Sequence, residues 1–373
     1  MEIGVPKEIK AQENRVGLTP AAVAELTRRG HRVLVQSQAG AAIGFHDLDY
    51  EAAGALVVAD ADSLFGACEL IVKVKEPQAA ERARLGPQHC LFTYLHLAAD
   101  RVQTEELLAG GATCIAYETV TDALGRLPLL APMSEVAGRM AIQAGAHCLE
   151  TPQGGRGVLL GGVPGVAPGR VAILGAGVVG SHALAMAVGL GAEVSVLDTS
   201  LDALRRLDAQ YGNRVHTLFS TRATVAARVV AADLVIGSVL IPGAAAPKLI
   251  DAELVRRMRP GSVLVDVAID QGGCAQTSHP TSHAQPTFVV DEVVHYCVSN
   301  MPGAVARTST LALNNATLPF VIALADKGCR QALLDDAHLR AGLNLAAGTL
   351  AHPGVAAAHG LAWRPAEQLV ALL

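Results

Sequence analysis

The stretch from Arg170 to Asp198, RVAILGAGVVGSHALAMAVGLGAEVSVLD, permits few folds. It reads as a buried strand, a tight glycine turn, a helix, and a second strand that ends in an acid. Gly175, Gly177 and Gly180 fit the pattern G-x-G-x-x-G. In this pattern the first glycine permits the turn, the second lets the backbone approach a pyrophosphate, and the third lets helix and strand pack closely. The stretch therefore predicts a parallel βαβ unit that binds a dinucleotide.

The acid at the end of the second strand bears on which dinucleotide is bound. Asp198 follows the glycines at close to the separation of about 20 residues at which a carboxylate binds the adenosine ribose. A carboxylate there repels the 2′-phosphate of NADP, and no arginine follows until Arg205. The sequence therefore favours NAD. The alternative is a nucleotide-free unit of the same fold, whose glycines serve only the turn.

The rest of the chain alternates short β-branched runs with alanine- and leucine-rich stretches, which is typical of an α/β protein with mainly parallel sheets. The first third predicts strands at IGVP, RVLVQ, ELIVKVK, CLFTYL and TCIAYE, and helices at TPAAVAELTRRG and DRVQTEELLAGG. A chain of 373 residues exceeds one ordinary core, so we expect more than one domain.

Two stretches indicate how the domains are divided. Residues 154–169 are rich in glycine and precede the dinucleotide unit, either as a plain linker or as a functional loop. Residues 301–303, Met-Pro-Gly, break the chain before a long helical stretch with few charges. We predict two Rossmann-like domains with a cleft between them. One is a discontinuous substrate domain of residues 1–128 and 307–373, and the other is an NAD-binding domain of residues 129–306.

Composition and charge exclude several functional classes. A formal charge of −5 without long charged blocks does not indicate nucleic acid or an anionic membrane as a partner. We expect no membrane helix, because glycine, proline or a charge interrupts each apolar run. Seven cysteines without a C-x-x-C pair, and a charged N-terminus MEIGVPKEIK, predict a cytoplasmic protein. The 51% hydrophobic content predicts subunit interfaces.

Three residues of the first domain come just after predicted strands. Arg15 follows IGVPKE, Lys75 ends LIVKVK, and His96 ends LFTYL. Ligands in open α/β sheets bind beyond the carboxyl ends of the strands, so these side chains are candidates for one crevice. The two cations suit a carboxylate and a neighbouring carbonyl or amine. Taken singly, each cation reads as a surface charge and His96 as a core histidine.

In the nucleotide domain, strands are predicted at DLVIGSVL and SVLVDVAID, and Asp270 ends the second of these. Asp270 is therefore a candidate to face His96 across the nicotinamide, or else a turn carboxylate before two glycines. Asp266, inside the run, reads as structural. His279 and His283 have a spacing that suggests a metal, but the proline between them breaks a shared helical face, so we assign no metal.

A series of motifs runs along essentially the whole chain, from GVPKEIKAQENRVGLTP through VKVKEP, YLHLA, APMSEVAGRMA, LGAGVVG and DQGGC to SNMPGAVARTST. On these motifs the sequence resembles the NAD-dependent L-alanine dehydrogenases, a group related to the nucleotide-binding subunits of proton-translocating transhydrogenases. NRVGLTP and VKVKEP occur across that wider group. LHLA, DQGG and NMPGAV together are narrower and favour alanine dehydrogenase. The resemblance implies a cytoplasmic homo-hexamer that converts L-alanine to pyruvate and ammonium. Two positions bear on cofactor affinity: Ala203 and His279 stand where relatives often carry basic residues.

The resemblance also implies roles for particular residues. Arg15 and Lys75 would hold the substrate, with Tyr94, Met133 and Asn300 close by, while His96 and Asp270 would do acid–base work. Besides the glycines and Asp198, the cofactor would touch two groups of residues. The first is Ser134, Val178, Val179, Ser220, Val239 and Leu240, and the second is Val267, Ala268, Ile269, Asp270, Val298, Ser299, Asn300 and Met301.

Three alternatives remain open from sequence. A transhydrogenase-type nucleotide-binding subunit shares both the nucleotide domain and the N-terminal pattern, but it needs a membrane partner. A relative that oxidises a larger amino acid would share the motifs, since spacing does not reveal pocket size. A non-catalytic NAD-sensing protein would need only Gly175 to Asp198, so the joint presence of Arg15, Lys75, His96 and Asp270 argues against it.

Overall fold

A computed structural model describes residues 1–239, 246–371 and 373, and its chain divides into two compact units. The first consists of Met1–Met133 and Val305–Leu373, and the second is Ser134–Ala304. The contacts therefore place the breaks after Met133 and Ala304, whereas the sequence predicted them after residues 128 and 306. The predicted two-domain α/β fold with mainly parallel sheets is confirmed.

The first unit is built on an eight-stranded sheet in the order β15-β14-β6-β5-β4-β1-β2-β3. β1 to β6 run parallel, and β14 pairs antiparallel with both β6 and β15. β4, β5 and β6 are buried along their whole length, as expected for parallel strands covered on both faces. The strands are β1 (Glu2–Val5), β2 (Arg32–Gln36), β3 (Leu56–Val58), β4 (Leu70–Val72), β5 (Cys90–Thr93), β6 (Thr113–Ala116), β14 (Leu343–Ala346) and β15 (Thr349–Leu350).

Helices flank this sheet, and several begin at side-chain caps. The Thr19 hydroxyl accepts from the Ala22 amide, and Pro20 opens the first helix, where no backbone donor is needed. The helices of the unit are α1 (Pro20–Arg28), α2 (Asp47–Ala52), α3 (Ala61–Ala67), α4 (Ala79–Arg82), α5 (Arg101–Gly110), α11 (Ala306–Lys327), α12 (Cys329–Asp335), α13 (Ala337–Arg340), α14 (Pro353–His359) and α15 (Ala366–Val370).

One segment, Met301–Lys327, is long and apolar enough by composition to cross a membrane, although core helices of soluble proteins pass the same test. Its most apolar window is 44% buried. Within α11, buried polar side chains bond to the first unit: Thr310 Oγ1 accepts from the Val16 amide, and Asn314 Oδ1 accepts from Thr19 Oγ1 at 2.6 Å. These bonds hold one face of α11 against the rest of the first unit.

The second unit is built on a seven-stranded sheet in the order β12-β13-β11-β10-β7-β8-β9. All pairs are parallel except β12 with β13. The strands are β7 (Arg170–Leu174), β8 (Glu193–Asp198), β9 (Val215–Phe219), β10 (Leu234–Gly237), β11 (Val263–Asp266), β12 (Thr287–Val290) and β13 (Val293–Tyr296). The helices are α7 (Val178–Gly189), α8 (Leu201–Tyr211), α9 (Arg222–Ala231) and α10 (Ala252–Arg256), with α6 (Ala131–Cys148) leading into the unit.

The glycine-rich residues 154–169 lie inside the second unit, because that unit already begins at Ser134. Gly155 packs so tightly that a Cβ there would lie 2.2 Å from the Cys148 carbonyl oxygen. Leu160 is 3% exposed, and a short bridge pairs Val163 with Val166. The segment is therefore a largely exposed part of one unit, held at a few positions, and not a linker between two units.

Candidate active site

The first unit brings three predicted residues to one edge of its sheet. Arg15, Lys75 and His96 each follow a different strand, namely β1, β4 and β5, and these strands are direct parallel neighbours. Two of the strands end earlier than the sequence predicted. β5 ends at Thr93 instead of Leu95, and β4 ends at Val72 instead of Lys75. The candidate side chains therefore lie on the loops that leave the sheet.

Arg15 is buried, with 1% of its surface exposed, and is held by a forked pair with Glu13. Arg15 Nε donates to Glu13 Oε1 at 2.7 Å, and Nη2 donates to Oε2 at 2.6 Å. Burial alone would lower the arginine pKa, but the bonds and charge of Glu13 outweigh it and raise that pKa. Nη1 lies 3.1 Å from Met133 Sδ, so the structure joins these two predicted substrate residues.

Lys75 is positioned through its backbone. Glu8 Oε1 accepts from the amides of Val74, at 2.7 Å, and Lys75, at 3.3 Å. Its second oxygen accepts from the buried Lys73 Nζ at 3.0 Å. The side chain of Lys75 has 13% of its surface exposed, and Nζ lies 3.9 Å from Glu76 Oε2. A buried carboxylate thus fixes the segment that presents Lys75.

Tyr94 and His96 lie face to face, with ring centroids 5.8 Å apart and an interplanar angle of 7°. Tyr94 is buried, its hydroxyl donates to the Leu129 carbonyl at 2.5 Å, and burial raises the pKa of that hydroxyl. The His96 side chain is 46% exposed. The ring therefore has a buried aromatic wall on one side and is open to solvent, unlike a core histidine.

Glu118 holds the turn at His96, and sequence analysis missed it. Its Oε1 accepts from the His96 amide at 2.6 Å and from the Leu95 amide at 3.2 Å, and lies 4.0 Å from His96 Nδ1. His96 has φ 52°, which is left-handed. Glu118 comes two residues after β6, the next strand beside β5. The rule that pointed to His96, inspection of residues just after parallel strands, would have found it.

In the second unit the predicted cofactor residues, apart from Ser134 in α6, collect at the carboxyl ends of the parallel strands. They follow β13, β11, β10, β7, β8 and β9, which are consecutive neighbours in the sheet. The residues are Val298 to Met301 after β13, Val267 to Asp270 after β11, Val239 after β10, Gly175 to Gly180 after β7, Asp198 at the end of β8, and Ser220 after β9. Leu240 lies outside the described residues.

The glycine turn has the form that the motif predicts. Gly175 has φ 108°, and a Cβ on Gly180 would lie 1.8 Å from the Gly175 carbonyl oxygen. A Cβ on Gly177 would have no described atom within 4 Å. Gly177 caps the start of α7 without a side-chain bond, so the first amides of α7, at Val178 and Val179, are available to an anion.

Asp198 also supports this turn. Its Oδ2 accepts from the Ala176 amide at 2.6 Å, and its Oδ1 accepts from the Ser200 amide at 2.7 Å. A carboxylate has about four acceptor positions, so two remain for hydroxyl groups. Arg206, which sequence analysis did not single out, donates to the Ala176 carbonyl at 3.3 Å. The residues at this turn fit a dinucleotide with free ribose hydroxyls.

Asp270 lies in a different element from the one predicted. β11 ends at Asp266, and Asp270 is an exposed residue of the 3-10 turn Val267–Gln271 that follows. Asp266 is structural, as predicted: it is buried and accepts from the Cys274 amide and from Ser278 Oγ at 2.6 Å. The strand ends at Asp266 because its carboxylate bonds the chain that returns eight residues later.

The remaining predicted residues differ in their conformation and in how far they are exposed. Asn300 has φ 58°, and its carbonyl lies 3.1 Å from His283 Nε2. Ile269, Val298 and Met301 are at least 97% buried. Ser134 and Ala268 are half-buried. His279 stacks on Phe288 with ring centroids 3.8 Å apart.

Comparison with known proteins agrees with both units. The family models "Alanine dehydrogenase/PNT, N-terminal domain" and "Alanine dehydrogenase/PNT, C-terminal domain" match residues 4–137 and 141–353. An alanine dehydrogenase of Halomonas elongata is 62% identical over 99% of this chain and 100% of its own. One of Bacillus subtilis is 54% identical over 99% of this chain and 97% of its own.

Solved structures extend this likeness to the fold. A structure of an L-alanine dehydrogenase matches with a TM-score of 0.94 at 55% identity, covering 96% of this chain and 99% of the other. A transhydrogenase from Sinorhizobium meliloti matches with a TM-score of 0.81 at 24% identity, over 95% and 99% of the two chains, which shows likeness of fold alone. On the two family models and these full-length identities, the chain belongs to the alanine dehydrogenase/PNT family.

Proposed function

We propose that this chain is an L-alanine dehydrogenase, which catalyses the NAD-dependent, reversible oxidative deamination of L-alanine to pyruvate and ammonium. The observation that carries the proposal is identity of 62% and 54%, over nearly the whole chain, with relatives named alanine dehydrogenase. The transhydrogenase alternative is not favoured, because that likeness has only 24% identity.

The substrate carboxylate is assigned to Arg15. A guanidinium binds a carboxylate through parallel N–H bonds, and the fork to Glu13 fixes the plane of this one. The side chain is 1% exposed, so its charge is little screened by water. Lys75, a compact cation on a neighbouring strand end, contacts the carboxylate or the developing keto oxygen.

Proton transfer is assigned to His96. Oxidation of alanine leaves an imine, water adds to its carbon, and the adduct collapses to pyruvate and ammonium. These steps require a group that gives and takes protons at oxygen and nitrogen near neutral pH, which a histidine does. The stack on Tyr94 and the Glu118 bond to its amide orient the exposed ring. Asp270 is assigned to orient the attacking water.

NAD is assigned to the strand ends of the second unit. When bound, it supplies the acceptor for the hydride of the substrate Cα–H bond. Gly177 leaves room for a pyrophosphate beside the amides of Val178 and Val179. Asp198 would accept from ribose hydroxyls and disfavour a 2′-phosphate. We further propose a cytoplasmic homo-hexamer, which the family resemblance supports and with which the hydrophobic content of 51% is consistent.

The experiment is an absorbance assay for NADH with a panel of amino acids, run in reverse with pyruvate and ammonium. We expect turnover with L-alanine and NAD, and NADH oxidation that requires both pyruvate and ammonium. Faster turnover with a larger amino acid would favour the alternative that the chain is a dehydrogenase of that amino acid. Silence in both directions would overturn the proposal, and equal catalytic efficiency with NADP would contradict the role of Asp198.

A further inference from the structure

Two cysteines far apart in sequence meet inside the first unit. Cys90 Sγ and Cys329 Sγ are 3.1 Å apart. Cys90 is the first residue of β5, and Cys329 is the first residue of α12, so the contact joins the N-terminal segment of the unit to its returning segment. A disulfide bond of about 2.05 Å between them needs only a small further approach.

The two thiols differ in what can reach them. Cys90 is 6% exposed, while Cys329 is only partly buried. The adjacent Cys329 thiol, together with burial, raises the pKa of Cys90 well above its ordinary value. Oxidation of thiols follows thiolate character and exposure. We therefore expect an oxidant from solvent to react first with Cys329. Cys90, which is buried beside it, is then the second thiol to react.

A third cysteine lies near this pair but on the other side of the sheet. Cys114 pairs in register with Leu91, and Cys90 pairs with Thr113. Because successive side chains of a strand point to opposite faces, Cys114 shares a face with Leu91, and Cys90 points the other way. Leu91 and Cys114 accordingly belong to the same buried cluster. Cys90, and not Cys114, is therefore the thiol that contacts Cys329.

We propose that Cys90 and Cys329 form a reversible disulfide when the enzyme meets a hydroperoxide. The Cys329 thiolate attacks a peroxide oxygen, the O–O bond breaks, and Cys329 becomes a sulfenic acid as hydroxide leaves and takes up a proton. The Cys90 sulfur then attacks the Cys329 sulfur, the S–S bond forms and water leaves. In total, two thiols and one hydrogen peroxide give one disulfide and two waters.

The bond would act on the first unit without touching the proposed chemistry. It closes a loop from residue 90 to residue 329 that contains the whole second unit, Ser134–Ala304, and it fastens α12 to β5. A cross-link over so long a loop stabilises mainly by restricting the unfolded chain. The oxidised first unit would therefore unfold less readily than the reduced one.

The test uses the full-length enzyme, reduced and then exposed to hydrogen peroxide. The chain is then unfolded in the presence of an alkylating reagent, the remaining free thiols are counted from the groups added, and the peptides are mapped without reductant. We expect the seven thiols to fall by two, with one cross-linked pair that contains Cys90 and Cys329 and disappears on treatment with a dithiol. The oxidised enzyme should also melt at a higher temperature than the reduced one.

Two variants test whether Cys329 is the cysteine that reacts. Cys329→Ser, at a partly exposed position, should slow the loss of thiols at least about tenfold, because the accessible thiol is gone. Cys68→Ser, in the same unit but outside the pair, should lose two thiols as the parent does. Retention of all seven thiols, a link through Cys114, or oxidation of Cys329 that stops short of a link would each overturn the proposal.

Discussion

The carboxylate of Glu118 fixes the backbone of His96 by accepting a 2.6 Å bond from its amide. His96 has φ 52°, a left-handed conformation that costs a non-glycine residue roughly 1–2 kcal/mol. A hydrogen bond to a charged acceptor contributes about 1.5–3 kcal/mol, which is enough to offset that cost. The orientation of the candidate acid–base group therefore depends on a residue of the neighbouring strand end.

Replacement of Glu118 should impair turnover more than substrate binding. In Glu118→Ala the Leu95 and His96 amides lose their acceptor, and the His96 ring shifts from its stack on Tyr94. A misplacement of about 1 Å in such a group costs about 100-fold in rate. We expect kcat to fall by about that factor with the KM for NADH unchanged. Glu105→Ala, an exposed glutamate of α5, serves as the control, and equal kcat in both variants would contradict this role.

Arg15→Lys should weaken pyruvate binding. An ammonium cannot make the parallel N–H bonds by which a guanidinium holds a carboxylate, and loss of one charged bond to the substrate is worth about 1.5–3 kcal/mol, or about 10- to 150-fold in affinity. We expect the KM for pyruvate to rise by that factor while the KM for NADH stays constant. Arg126→Lys, whose side chain is 72% exposed, should change neither constant. An unchanged KM for pyruvate in Arg15→Lys would remove Arg15 from the substrate site.

Gly180→Ala should abolish NADH binding. The added Cβ would lie 1.8 Å from the Gly175 carbonyl oxygen, so the glycine turn must open. Gly189→Ala lies in the same helix, where a Cβ meets no atom of the described residues within 4 Å, and it should bind NADH normally with a stability gain of about 1 kcal/mol. Fluorescence titration with NADH separates the two. Normal binding by Gly180→Ala would show that the turn tolerates the clash.

The stability of the second unit should fall in mild acid because of His295. This histidine is buried on β13, and burial lowers its pKa below 6.5. The unfolded chain therefore takes up the proton at higher pH than the folded chain. Its contribution is complete above pH 6.5 and is lost as the pH falls toward the lower folded pKa, by at most about 1.4 kcal/mol per pH unit.

His295→Gln removes this titration and so tests its share of the acid sensitivity. The variant also loses the 2.8 Å contact with Thr277 Oγ1 or keeps it only in part, so its stability at neutral pH should be lower. Between about pH 7.5 and about pH 5.5, however, its urea midpoint should fall less than that of the parent. Identical pH dependence in the two proteins would place the acid-sensitive groups elsewhere.

The elements that positioned the candidate site were predictable, and their ends were not. The alternating pattern located β1, β4, β5, β7, β8 and β11, because buried parallel strands read as apolar runs. Runs such as LFTYL and SVLVDVAID continue beyond the ladder, however. β5 stops at Thr93, shortly before the turn at His96 with positive φ, and β11 stops at Asp266, whose carboxylate binds the returning chain. Positive φ is uncommon for any residue other than glycine, so residue type alone does not locate such turns.

Glu118, two residues after β6, lay within reach of the strand-end rule, but the supporting carboxylates Glu8 and Glu13 did not. A buried acid has the same letter as an exposed one, and only its tertiary partners distinguish the two. By contrast, the glycine turn was predicted in detail, because each of its glycines meets a steric requirement that lies within the motif itself, as Gly175 and Gly180 show.

The central claim is that His96 moves protons for the deamination of alanine, and His96→Ala tests it most directly. Turnover of pyruvate, ammonium and NADH is followed in parent and variant, together with NADH binding by fluorescence. We predict that the variant loses most of its turnover, by about 100-fold or more, and binds NADH as the parent does. Near-normal turnover with intact NADH binding would contradict the account.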